Sequence, residues 1–139
     1  MRVADLIKKK GSTVTTLPAT ATVAELLETL DDAKIGAVVV LDGDDVAGIV
    51  SERDVVHHLR GGRDQSAALT DLMTTDVKTC TLEDDLTHLA TTMTEGRFRH
   101  LPVVQDGRLE GIVSIGDVVK ARLDALEAER DHLESYLRQ

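Results

Sequence analysis

The nine residues Gly48–Val56, GIVSERDVV, return 63 positions later as GIVSIGDVV at Gly111–Val119, with seven of nine unchanged. A repeat constrains a fold strongly, because both copies must form the same unit. With that offset held, Val14–Val56 lies on Val77–Val119 without a gap, and 12 of the 43 positions are identical. Others stay apolar in both copies, such as Val23 and Leu86, Leu30 and Met93, Ile35 and Phe98. A shorter echo precedes each copy, ADLI at Ala4–Ile7 and TDLM at Thr70–Met73. Two copies are too few for a stacked array, so this is a duplicated unit.

Each copy reads strand, helix, strand, strand, helix. In the first, Val14–Leu17 is extended. Thr22 and Glu25 form a capping box ahead of Val23, Leu26, Leu27 and Leu30, which share a helical face. Asp85 takes the cap position in the second copy. Ala37–Leu41 is an all-apolar run suited to a strand buried on both faces. Val46–Val50 follows, and the Asp-Gly pairs between these runs signal hairpins. One copy alone is marginal for burying a core, so the copies should pack face to face about a pseudo-two-fold axis. The expected fold is mixed α and β: repeat 1 over 1–62, repeat 2 over 63–122, and a helical extension over 123–139.

The core must be aliphatic, because the chain has no Trp, one Phe and one Tyr. A net charge of −9 argues against general nucleic-acid binding, which needs a basic face. No apolar run reaches the roughly 20 residues of a membrane span, and the N-terminus is too short and charged for a signal peptide. Cys80 stands alone, which makes a cytoplasmic protein the expectation.

Ser-x-x-Asp ends both copies, as Ser51 and Asp54 and as Ser114 and Asp117. One reading is a capping box, in which each serine hydroxyl accepts from the aspartate N–H and the aspartate reaches back. The other is a nucleotide site. A helix N-terminus suits phosphate, and a carboxylate there can accept hydrogen bonds from two ribose hydroxyls. Apolar segments near Ile35–Val38 and Phe98–Leu101 would receive the base.

This doubled pattern, with RHLPVVQDGRLEGIVSIGDVV at Arg99–Val119, resembles a tandem pair of cystathionine-β-synthase (CBS) domains from about residue 2 to 122. The resemblance implies a stand-alone regulatory module without catalysis. It would bind an adenosyl ligand (AMP, ADP, ATP, S-adenosylmethionine or an NAD-type molecule) between the copies and signal occupancy to an effector protein. It needs no obligatory cofactor and no metal. The implied contacts are Ser51, Arg53, Asp54, Ser114 and Asp117 at the motifs. Ile35, Gly36, Ala37, Phe98, Arg99 and His100 precede the second strands, and Thr16, Lys78 and Thr79 open the repeats. The alternative is an interaction module with no nucleotide. Arg53 faces Gly116 across the alignment, and Arg97, Arg99 and His100 face Lys34, Gly36 and Ala37, so the two sites should be unequal.

Other features read more plainly. His57 and His58 are adjacent and cannot share a helix face, His88 and His132 read as surface, and Cys80 reads as a small buried hydrophobe. Lys8–Gly11 reads as a solvated turn. In the tail, Val119, Leu123, Leu126, Arg130, Leu133 and Leu137 step by 4, 3, 4, 3 and 4, a heptad seam. Together with the flat-disc pairing that the resemblance implies, it suggests a homodimer.

Overall fold

A computed structural model describes all 139 residues. The elements are α1 (Val3–Lys10), β1 (Thr16–Pro18), α2 (Val23–Ala33), β2 (Ala37–Asp42), β3 (Asp45–Ser51), α3 (Glu52–Arg60), α4 (Leu86–Gly96), β4 (His100–Gln105), β5 (Arg108–Ser114) and α5 (Ile115–Leu137). A 3-10 turn, Leu69–Asp71, joins the halves. The caps fall where the sequence puts them. Glu25 N–H donates to the Thr22 hydroxyl, and Thr87 N–H donates to Asp85. Ala37–Val40 is buried at every position, as a two-sided strand requires.

β1 pairs in parallel with β2, which pairs antiparallel with β3; β4 and β5 form a second antiparallel ladder. The expected first strand of repeat 2 shrinks to one bridge, Cys80 with Val103. Pro102 is the cause. It stands where β2 has Val39, and with no N–H it cannot donate to a third strand. Only its carbonyl is used, accepting from Cys80 N–H at 3.0 Å.

The two echoes are exchanged between the halves. Val3, Leu6 and Ile7 of α1 join the core of repeat 2 with Leu89, Met93, Leu101 and Val113. Leu69, Leu72 and Met73 join the core of repeat 1 with Leu26, Val38 and Val50. The hydrogen bonds repeat accordingly. Leu86 N–H donates to Met1 and Val3 N–H to Asp84, while Val23 N–H donates to Ala67 and Leu69 N–H to Ala21. Each echo crosses the glycine that opens the repeated phrase. A Cβ at Gly111 would lie 2.6 Å from Ile7 Cδ1, and one at Gly48 would lie 2.7 Å from Met73 Sδ and 2.9 Å from the Thr74 carbonyl.

Both glycines should resist substitution, but unequally. Ile7 can turn its terminal methyl aside, whereas the Thr74 carbonyl is held by a two-way bond with Ile49. Gly48→Ala should therefore cost about 2–3 kcal/mol and Gly111→Ala about 1 kcal/mol, measured by urea unfolding. Equal losses would mean that the backbone at Thr74 moves as freely as the Ile7 side chain.

Candidate functional site

The last residue of β3 is Ser51, and α3 begins at the next. Its backbone N–H and its hydroxyl both donate to Asp54 Oδ2, at 2.8 and 3.2 Å. The hydroxyl also faces the Asp54 N–H, so Ser51 and Asp54 make a reciprocal capping box. The same box forms in repeat 2: Ser114 N–H donates to Asp117 Oδ2 at 2.9 Å, and Asp117 N–H donates to Ser114 Oγ at 3.1 Å. One further bond ties each motif helix to the strand beside it. Glu52 N–H donates to the Gly36 carbonyl, and Ile115 N–H to the Arg99 carbonyl. This is why the residues before β2 and β4 sit beside the Ser-x-x-Asp turns.

A cleft of about 690 Å³ opens on the first box. Gly36, Ala37, Ser51, Arg53 and Asp54 line it from repeat 1, and Lys78, Phe98, Arg99 and His100 from repeat 2. Ile35 lies outside it in a neighbouring shallow pocket with Leu30 and Lys34. Thr16 is bound into the pair with Val39, and Thr79 is exposed away from the cleft. Five lining residues lie outside those singled out in the sequence, Ile49, Glu52, Thr74, Asp76 and Val77, while Arg97 is one of the charges read there as setting the two sites apart. Glu52 and Ile49 flank Ser51 and were open to reading from the motif. Thr74 arrives by pairing with Ile49, for which no local signal exists.

The lining sets four cations, Arg53, Lys78, Arg97 and Arg99, against three carboxylates, Glu52, Asp54 and Asp76. Lys78 reaches only Asp76, at 3.5 Å and well exposed. Arg97 holds a left-handed backbone, φ 57°, at the end of α4, as its counterpart Lys34 does at the end of α2. Phe98, the sole aromatic of the cleft, covers Gly96, where a Cβ would lie 2.1 Å from its ring. In repeat 1 the same pair is Ala33 and Ile35. His100 is half-buried, with its ring 3.7 Å from where a Gly36 Cβ would stand. Burial chiefly, then the charges of Lys10 and Arg99, pull its pKa below the ordinary value despite Asp117 and Glu52.

The second box is filled from within. Lys8–Lys10 is not the expected solvated turn but the last turn of α1. Lys10 Nζ lies 2.6 Å from Asp117 Oδ2 and donates to the Ile112 carbonyl at 2.7 Å. Burial pushes the Asp117 carboxyl up, but the Lys10 bond and charge, with the Ser114 bonds, outweigh it and hold it below its ordinary value. Asp54 has no such cation. The first-half echo is helical through Lys10, and the matching position in the second echo is Asp76.

Elsewhere, Cys80 is buried and free, its thiol pushed up to about 12 by burial and then by Asp84. His58 is buried too, with Nε2 donating to the Asp64 carbonyl at 2.9 Å. No helix is long and apolar enough to cross a membrane.

The family model for the CBS domain matches twice, over residues 3–61 and 69–124. The chain belongs to the CBS-domain family. It is 43% identical to a CBS-domain protein of Agrobacterium tumefaciens of known structure, with a TM-score of 0.85, covering 88% of this chain and 99% of that one. A CBS-domain protein of Pyrobaculum aerophilum, solved in complex with AMP, is 26% identical with a TM-score of 0.75 over 84% of this chain and 89% of that one. An uncharacterised protein of Acidianus ambivalens is 38% identical over 105 residues, 74% of this chain, which spans 63% of that protein's length. The tandem CBS pair and its mixed α and β architecture are thereby shown.

The Lys10 contact has a pH signature. A carboxyl held below its ordinary value stabilises the fold above that value and loses the contribution as pH falls through the depressed one. The pair is about a quarter to a third exposed, so its contribution is at most about 1 kcal/mol. Lys10→Met should leave stability at pH 7 lower by that amount, and the difference should close below about pH 4. Thermal unfolding of both proteins from pH 7 to pH 3 checks this; a difference independent of pH would assign Lys10 a packing role only.

Proposed function

We propose that this chain is a regulatory module that binds an adenosyl nucleotide in the cleft on the first Ser-x-x-Asp box. The observation that carries the reading is the meeting of a ribose-competent carboxylate, Asp54, with Arg53, Lys78, Arg97 and Arg99 in one cleft, where these cations outnumber the lining carboxylates Glu52, Asp54 and Asp76 although the protein's net charge is −9. Arg53 and Arg99 suit bidentate phosphate contacts. The first turn of α3, Glu52–Asp54, lines the same cleft, and the positive end of a helix favours phosphate. Phe98 and Ala37 offer an apolar surface to the base. The AMP complex of the Pyrobaculum protein supports the ligand class. AMP, ADP and ATP head the candidates, ahead of S-adenosylmethionine and NAD-type molecules, because the cations reward phosphate. The site at Ser114 and Asp117 is the weaker of the two, since Lys10 occupies its carboxylate.

The module acts by signalling occupancy to an effector protein rather than by catalysis, and it works as a homodimer. Its free, buried Cys80 suits a reducing compartment, and the cytoplasm is the proposed location. The competing reading, an interaction module with empty clefts, draws on the Ser51–Asp54 bonds, which also make a complete helix cap.

Isothermal calorimetry should find one strong site per chain, tighter for AMP than for adenosine. Charge-assisted hydrogen bonds contribute on the order of 1.5–3 kcal/mol. Arg99→Ala should therefore weaken AMP roughly ten- to a hundredfold and adenosine much less. Asp54→Ala should weaken both. Unchanged affinity in Asp54→Ala, with only a lower melting temperature, would leave the box as a cap. Equal affinity for AMP and adenosine would remove the phosphate role.

A further inference from the structure

Every residue of α5 beyond Ala121 is exposed. Leu123, Leu126, Leu133 and Leu137 are 54, 43, 56 and 81% exposed, on a helix whose outer half touches nothing. Such a helix is marginal in water on its own. Six heptad positions that step by 4, 3, 4, 3 and 4 are symmetric about their midpoint. Val119 and Leu137, Leu123 and Leu133, and Leu126 and Arg130 stand at equal distances on either side of Ala128.

Two copies laid antiparallel with Ala128 level therefore place Val119 on the partner's Leu137. Leu123 then meets the partner's Leu133, and Leu126 the partner's Arg130. Every seam position finds a layer. In this register Lys120 falls beside the partner's Glu134, and Arg130 enters the seam opposite the partner's Leu126, close to the Glu127 and Glu129 side chains that meet their own copies at the centre. A parallel pair would stack Arg130 on the partner's Arg130 and set Glu129 beside the partner's Glu134, and like charges so placed oppose association. Slipping the antiparallel pair by one heptad would uncover two apolar positions at one end of each seam.

We propose that the outer halves of α5 from two copies of this chain pair as an antiparallel two-stranded coiled coil centred on Ala128. The assignment rests on the homodimer reading above and adds its surface and its direction.

Because Cys80 is buried, a single added cysteine gives the full chain one accessible thiol. Glu129→Cys lies beside the two-fold centre and should form a disulfide-linked dimer under mild oxidation. Leu137→Cys should not, because two copies of that residue would lie about 27 Å apart at 1.5 Å per residue. At low salt, Lys120→Glu should weaken dimerisation about fivefold, and adding Glu134→Lys should restore it. Linking through Leu137→Cys but not Glu129→Cys would overturn the direction. A dimer that links at neither position and survives truncation after Arg122 would overturn the coiled coil and leave the homodimer standing. A monomer by light scattering at micromolar concentration would overturn both.

Discussion

Met73 and Ile7 pass directly over Gly48 and Gly111, so close that a side chain at either position would force its neighbour to shift. The rest of the arrangement follows from this close approach. It brings each echo onto the sheet of the other sequence neighbour and ties α1 to repeat 2. It also leads the chain from Met73 into Thr74, whose pairing with Ile49 floors the cleft. The repeated phrase opens with glycine for this steric reason and closes with Ser-x-x-Asp for an electrostatic one. Strand β3 or β5 joins the two ends rigidly, so the packing of an echo and the aim of a motif helix are set together.

Duplication gives two equal frames, and a few side chains make them different. The backbone bonds from Glu52 to Gly36 and from Ile115 to Arg99 are the same bond drawn twice. Near the pseudo-two-fold axis, however, repeat 1 offers Gly36 and Ala37 while repeat 2 offers Arg99 and His100. The His100 ring stands at ordinary contact distance from where a Gly36 Cβ would lie. One cleft therefore collects the cations of repeat 2 opposite the carboxylate of repeat 1. At the other motif, three additional residues ahead of repeat 1 carry α1 far enough for Lys10 to reach Asp117.

Much of this was legible in the sequence, and the failures have physical causes. The hairpins announced themselves through Asp-Gly pairs, and Asp106 and Gly107 do adopt the positive φ of a two-residue turn. The helix caps at Thr22 and Asp85 were equally plain. The left-handed residues Lys34 and Arg97 were not, since Lys and Arg carry no turn preference. Lys8–Gly11 looked like a solvated turn because charge patterning cannot report an ion pair formed 107 positions away. The tight fit of Phe98 on Gly96 is a relation between two side-chain volumes, visible only once the end of α4 has its shape. Cleft residues named from motif position were brought together where backbone bonds fix that position. Thr16 of β1, paired with Val39, and Ile35 and Thr79, each beside a residue that does line the cleft, were not.

The exchange of echoes bears on how the molecule is made. A chain leaves the ribosome from its N-terminus, yet Val3, Leu6 and Ile7 belong to a core completed by Leu101, Val103 and Val113. Lys10 meets Ile112 across 102 positions. The helix α1 must therefore wait, with its apolar face uncovered, until Leu101, Val103 and Val113 have been synthesised. Repeat 1 and the Leu69–Met73 segment that seals it emerge consecutively and can close during that interval. Vectorial synthesis thus favours an order in which repeat 1 sets first and α1 docks last. It also leaves the N-terminal segment as the part of the nascent chain most open to chaperone capture or to pairing with the wrong copy.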